Sequence, residues 1–303
     1  GWYFGIFWPT TPLWLKIIFS ILAGLTIARM FIIYHDHQHK AILQNSKLAD
    51  VLMTIWGIFI LAPSSIWKRS HDHHHTHNSK LYTSSIGSYP IVTVEKFNTF
   101  TKKERAVYLF IRHPLTIAFG YVFVFFYGMC VRSFMNNRSK HWDSLLAIGI
   151  HIGMGILIIW LLGWTAFWLG FIAPAMISLG LGAYLFYAQH NFPSATFAEK
   201  EGWSYVNAAL GSSSYMRMSR LMHWFTGNIG TTISAEYLTP ESSPRPWTSA
   251  WLNSGERDRI VALGGKLTAA RLIRRSATRQ VWELDADRYG TTAVFPTLNW
   301  PTW

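Results

Sequence analysis

Five apolar stretches constrain this chain more than any other feature: Leu13 to Tyr34, Leu48 to Ile66, Leu115 to Val131, Ser144 to Leu162 and Thr165 to Ala188. Each is long enough, or nearly so, to span a hydrocarbon core of roughly 30 Å at about 1.5 Å per helical residue. Charged residues make up only 14% of the sequence, against roughly 25% in a typical soluble domain, which weighs against an aqueous globule. With half of its residues apolar the chain is not disordered. A lone cysteine, Cys130, rules out a disulfide scaffold and is expected to pack in its apolar run. The expected fold class is all-α, an integral membrane protein with transmembrane helices, re-entrant or interfacial helices and a histidine-rich cytosolic cap. The start at Gly1 reads as a processed or truncated N-terminus, with Gly1 to Thr11 the remnant of a preceding span.

Charge separates the stretches that cross from those that dip. Lys40 and Lys47 precede Leu48 to Ile66, and Lys68 and Arg69 follow it, so the positive-inside tendency places both of its ends in the cytoplasm. Pro63, Ser64 and Ser65 interrupt helical continuity near its end, which suits a re-entrant segment packed against protein. Leu115 to Val131 is flanked by Lys102, Lys103, Arg105 and Arg112 on one side and by Arg132, Arg138 and Lys140 on the other, and is expected to dip likewise. Between the last two stretches the junction Gly163-Trp164 is uncharged and short, the outer turn of a transmembrane hairpin. This multi-pass topology gathers residues 35 to 47, 67 to 112, 132 to 143 and everything after 188 on the cytoplasmic side. It also accounts for the net charge of +12. The basic residues are spread over loops between spans, so a nucleic-acid partner is not expected.

The histidines are placed unevenly. Tyr34-His35-Asp36-His37-Gln38-His39 ends the first span, and His71-Asp72-His73-His74-His75-Thr76-His77 follows the second stretch. His35 and His39 share a helical face at i, i+4, while His71, His74 and His75 have i, i+3, i+4 spacing. Two such sets on one membrane face point to metal binding by at least five imidazoles, with Asp36 placed to orient one of them. Imidazole suits zinc, copper, iron and nickel alike, so ligand type does not choose the metal. His190 closes the last span on the same side and is a further candidate ligand. His37, His73 and His77 are read as bystanders, and His113, His141, His151 and His223 as structural or solvated.

The pattern resembles the membrane-bound fatty acid desaturases, especially the bacterial acyl-lipid type, over about residues 12 to 230. The likeness rests on Phe31-Ile32-Ile33-Tyr34-His35-Asp36 through His39, on Trp67-Lys68-Arg69 leading to His71, His74 and His75, on Leu185-Phe186-Tyr187-Ala188-Gln189-His190, and on Trp224-Phe225-Thr226-Gly227-Asn228-Ile229-Gly230. It implies two iron ions held by His35, His39, His71, His74, His75 and His190, and a fatty acyl lipid substrate. It also implies O2 with two electrons from a separate electron-transfer protein, a ferredoxin or cytochrome. The implied reaction removes two hydrogens from adjacent methylenes, where an unactivated C–H bond leaves the chemistry to the metal. A hydroxylase or related oxygenase on the same scaffold, or a non-catalytic metal-binding membrane protein, are the alternatives. A metal transporter would instead place ligands near mid-membrane, where only Arg29 and His151 fall.

One departure is sharp. Where the resemblance leads to a third histidine string after Gly230, this chain reads Thr231-Thr232-Ile233-Ser234-Ala235-Glu236, and no histidine follows His223. Thr-Thr is what the His-His codons CAC CAC give when read one nucleotide late. The expected organisation is therefore a desaturase-like membrane domain over 12–230 and an atypical tail over 231–303, out of frame or disordered. A histidine-rich continuation in another reading frame of the gene is the test of that origin. A lesser departure is that His37 and Gln38 stand where Cys and Gly are often found.

Overall fold

A computed structural model describes residues 1–81, 89–191 and 218–227, together with residues 195, 197, 198, 203, 208, 212 and 216. The 231–303 tail lies outside the described residues. Those described are helical and include no strand, only an isolated bridge between Lys80 and Ala198. In order the helices are α1 (Trp2–Phe7), α2 (Leu13–Gln38), α3 (Lys47–Phe59), α4 (Ser64–His77), α5 (Val94–Asn98), α6 (Lys102–Ile111) and α7 (Pro114–Ala118). A π-helix, Tyr121–Arg132, leads into α8 (Ser133–Asn136). Then follow α9 (Trp142–Phe167), a π-helical turn (Trp168–Ile172), α10 (Ala173–His190) and α11 (Arg220–Phe225).

Two segments, Leu13–Gln38 and Trp142–His190, are long and apolar enough to cross a membrane. The second doubles back. Gly163 has φ +79° and ψ 179°, outside the helical region. The ring of His151 lies 4.6 Å from that of Phe171, and Gly155 packs against Phe167 and Phe171. In a straight helix residues twenty positions apart would be about 30 Å apart, so α9 and α10 form the hairpin expected from the uncharged junction. The outer face of α9 is bare hydrocarbon, with Trp160 78% exposed and Ile156, Leu161 and Trp164 beside it. An apolar surface of this kind belongs against lipid.

Ser46 caps α3 by accepting from the Ala49 amide, and the chain turns by 92° between Phe59 and Ser64 before α4 begins. That bend sits where Pro63 marks the sequence, and it gives Leu48 to Ile66 the broken path of a re-entrant segment or of an interrupted span. Its backbone is demanding: Leu61 adopts φ +57° and Ile60, Leu61 and Ala62 are buried. Away from water each exposed backbone group needs a partner. The Ala62 amide donates to the Gly57 carbonyl at 2.8 Å, the Ala62 carbonyl accepts from Tyr34 Oη at 2.8 Å, and the Leu61 carbonyl accepts from the Cys130 thiol at 3.4 Å. Cys130 is thus a packing residue, as its apolar setting implied.

The core lies where α2, the bend and the π-helix meet, built from Phe31, Tyr34, Trp67, Phe125, Met129 and Phe186. Helix α10 closes on α2 at Gly24, where a Cβ would meet Ile177 at 2.8 Å, and on α7 at Gly180, where a Cβ would meet the Ala118 carbonyl at 2.6 Å. Small residues at these crossings let backbones approach closely, the usual device of helix packing in membranes. Together they bring the ends of α2, α4 and α10 to one place.

Candidate metal centre

The side chains of His35, His39, His71 and His75 converge, each offering one ring nitrogen, and all four nitrogens lie within 4.8 Å of one another. Nε2 of His71 is 2.8 Å from Nε2 of His35 and 3.0 Å from Nε2 of His75. Ligands at about 2.1 Å from one ion and at right angles are separated by roughly 3 Å, so these spacings are those of nitrogens sharing an ion. His39 Nε2 is buried in the cluster with no hydrogen-bond partner, an otherwise costly position that a metal would satisfy. The donor set is wholly imidazole and suits a transition metal.

Two of these rings, His35 and His71, are held from behind. His35 Nδ1 donates to Asp36 Oδ1 at 3.0 Å, which leaves Nε2 as the lone-pair nitrogen facing the cluster. This is the orienting role that the sequence assigned to Asp36. Trp67 lies nearly flat on His71, centroids 4.8 Å apart and planes 15° apart, and Phe186 packs against both. Burial, reinforced by His35 and Lys68, pushes the His39 imidazole down to about 3. Burial lowers His71, His74 and His75 as well, with neighbouring imidazoles adding to the effect. Near neutral pH these rings are uncharged, the form in which histidine binds metal.

The third member of the α4 set goes elsewhere. His74 Nε2 faces His190 Nε2 at 3.1 Å, and His190 Nδ1 donates to the Ser212 carbonyl at 2.8 Å. The face that i, i+3, i+4 spacing assigned to His71, His74 and His75 is therefore split, two rings toward α2 and one toward α10. Among the described residues no third His, Cys, Asp or Glu joins the His74–His190 pair in such a cluster. The pair borders a cleft of about 90 Å³ whose walls include Tyr89, Ile91, Phe186 and Phe197.

The remaining histidines have other contacts. His37 is buried beside Asp50, with Nε2 3.2 Å from Oδ1, and His73 stacks on His77 at 4.0 Å. His113 caps α7 by accepting from the Leu115 amide, His141 bonds Ser65, His151 bonds the Tyr121 hydroxyl at 2.6 Å, and His223 accepts from the Met218 amide. Sequence reasoning missed the Ser212 carbonyl behind His190, because a backbone acceptor leaves no mark in residue type.

An all-helical membrane protein with imidazoles gathered at the ends of its apolar helices is of the class that mounts a metal beside the bilayer. The chain belongs to the fatty acid desaturase family, whose model matches residues 12–232. It is 28% identical over 217 residues to a fatty acid desaturase of Bacillus subtilis (strain 168), covering 71% of this chain and 62% of that protein. It is 23% identical over 231 residues to an sn-1 acyl-lipid omega-3 desaturase (ferredoxin) of Nostoc sp. (strain 36), covering 72% and 61%. With the chloroplastic omega-6 fatty acid desaturase of Arabidopsis thaliana it shares 25% identity over 198 residues, 63% of this chain and 42% of that one. The chain thus spans less than two thirds of the length of these relatives. The family match includes both histidine strings and His190.

Proposed function

We propose that this chain is the membrane domain of an acyl-lipid desaturase, with His35, His39, His71, His74, His75 and His190 as metal ligands and residues 12–230 as the functional unit. The observation that carries this reading is the convergence of four imidazoles from α2 and α4 within 4.8 Å at the end of a membrane helix. The substrate is a fatty acyl lipid and the metal iron, which when bound supplies the O2 chemistry that acid–base side chains lack on an unactivated methylene. Electrons come from an external protein. The name of the Nostoc relative favours a ferredoxin over a cytochrome.

The chain's own residues do the positioning. Asp36 fixes the tautomer of His35, and Trp67 and Phe186 hold the plane of His71 and shield it from water. The cleft beside His74 and His190, with Tyr89, Ile91, Phe186 and Phe197 in its walls together with Asn78, Lys80 and Asn191, offers an approach to the imidazoles. Lys40, Lys47, Lys68 and Arg69 flank the re-entrant pair on the histidine side, which supports a multi-pass protein with its site on the cytoplasmic face.

The test is expression in a desaturase-null host of the chain as given and of a version carrying Thr231→His, Thr232→His, Ala235→His and Glu236→His. Cellular acyl unsaturation and bound iron are measured in both. New double bonds are expected from the restored version and none from the chain as given. A restored version without bound iron or new double bonds would overturn the reading.

A further inference from the structure

Ahead of the π-helix, α5 and α6 form a small unit whose inner side is fixed to the rest of the protein. The Arg105 guanidinium donates to the Asn98 carbonyl at 2.7 Å and lies over the Phe97 ring, which meets Phe100 and Tyr108. Arg112 is buried, donates to the Pro90 carbonyl at 2.9 Å, and lies over Tyr108 and over Tyr187 of α10. These contacts set both the facing and the depth of α6. Tyr187 stands within one turn of His190, so the C-terminal end of α6 lies at the level where the α10 span ends. The chain then goes deeper, because α7 packs on α10 at Gly180. Pro90 also lines the cleft beside His74 and His190, which ties the unit to a wall of that cleft.

With Tyr108 and Arg112 turned inward, the outward face of α6 carries Lys102 and Lys103 in its first turn and Ala106, Val107, Leu109 and Phe110 beyond them, all exposed. This apolar surface is continuous with that of the membrane-dipping stretch. Phe110 meets Phe123 of the π-helix edge-on at 5.3 Å, and Leu115, Phe119 and Phe123 prolong it with exposed side chains. Glu104, the acidic residue of the first turn, is drawn back onto Thr101 in a capping box. We propose that this face of α6 is seated in the leaflet on the histidine side, with Val107, Leu109 and Phe110 among acyl chains and Lys102 and Lys103 on the phosphates of anionic phospholipids. Helices with basic and apolar surfaces settle at the headgroup boundary in this way, and each lysine near an anionic surface adds roughly fivefold to the attraction. A soluble protein seated on the same surface would have to cover Leu115 and Phe119 as well, which α7 holds at bilayer depth. The inference goes beyond the desaturase reading and needs neither a bound metal nor a particular substrate.

The experiment uses the full chain in nanodiscs of phosphatidylcholine mixed with phosphatidylglycerol. The one native thiol, Cys130, is buried, so a fluorophore can be placed on Val107→Cys or, separately, on Leu109→Cys, with Arg138→Cys on an exposed turn as the aqueous reference. Both α6 labels should be quenched by lipid brominated in its acyl chains and shielded from aqueous iodide. Bromine carried on phosphatidylglycerol should quench more than the same fraction carried on phosphatidylcholine. Lys102→Gln with Lys103→Gln should cut that preference by up to roughly fivefold for each lysine, and high salt should weaken it in the parent. Far-ultraviolet circular dichroism checks that the labelled and substituted chains keep the parent's helical content. Labels open to iodide and untouched by brominated lipid would overturn the proposal, whatever then covers the face. Equal quenching by the two lipids in the parent would do so too, as would a preference that survives the loss of both lysines. Failure of the restored chain to make double bonds would sink the desaturase reading and leave these measurements unaffected.

Discussion

The Tyr34 hydroxyl donates to the Ala62 carbonyl across 2.8 Å, with both residues fully buried. This bond ties the helical turn that carries His35 to the bend from which α4 presents His71, His74 and His75. It also satisfies a carbonyl left outside any helix. Tyr34→Phe keeps the ring and strands that carbonyl, which costs about 1–3 kcal/mol. Unfolding of the variant in detergent should show a loss of that order, and cobalt added as a probe of the histidine cluster should bind more weakly, because the relative placement of the two histidine-bearing helices relaxes. An unchanged midpoint together with unchanged cobalt affinity would show that the bond aligns nothing.

Asp36 tests the electrostatics of the cluster without removing a ligand. Its carboxylate accepts from His35 Nδ1 at 3.0 Å, so it sets the tautomer and adds basicity to Nε2. Asp36→Asn offers a weaker acceptor in nearly the same shape. Loss of such an orienting partner lowers metal affinity by roughly 10–100-fold, and competition with a chelating dye would measure it. The helical circular dichroism of the variant should match the parent, since Asp36 is partly exposed.

How far the chain could be read beforehand depended on the range of the interaction. His35, His39, His71 and His75 were legible because i, i+4 spacing within one helix fixes which rings share a face. The separation of His74 was not, since it is set by His190, 116 residues away on α10. The reversal at Gly163 was legible from a short uncharged junction, and the bend before α4 from Pro63 and its basic flanks. The Tyr34–Ala62 and Cys130–Leu61 bonds were hidden, because their acceptors are backbone carbonyls exposed by a left-handed Leu61. The π-helical stretch Tyr121–Arg132 also left no mark in the apolar pattern.

Gly163 separates backbone strain from packing at the hairpin turn. With φ +79° and ψ 179° it occupies a region that is essentially glycine's alone, and a Cβ added there would meet nothing within 4 Å. The cost of Gly163→Ala is then conformational, about 1–3 kcal/mol. A lowered unfolding midpoint with unchanged cobalt stoichiometry is expected, because the turn lies at the end of the hairpin away from the histidines. A neutral result would mean that the reversal is made at another residue.

Pro63 at the N-cap of α4 offers no capping side chain, and Asp143 at the start of α9 supplies one. Asp143 Oδ2 accepts from the Ser65 amide at 3.1 Å, and Oδ1 accepts from the Ser65 hydroxyl at 2.6 Å. The single hydroxyl proton is thereby used, so Ser65 Oγ accepts from His141 Nδ1 at 2.9 Å, which assigns the proton of that ring. The arrangement anchors the N-terminus of the helix whose next turns carry His71, His74 and His75. Asp143→Ala leaves the Ser65 amide without its cap and should cost about 0.5–2 kcal/mol, whereas Asp143→Asn keeps one acceptor and should cost less. Ser65→Ala combined with Asp143→Ala should lose less than the sum of the two single changes, since both remove the bond between the Ser65 hydroxyl and the Asp143 carboxylate. Full additivity in unfolding measurements would show that the three residues are neighbours without being coupled. If the anchor also sets the register of α4, Asp143→Ala should weaken cobalt binding more than Gly163→Ala does at equal loss of stability.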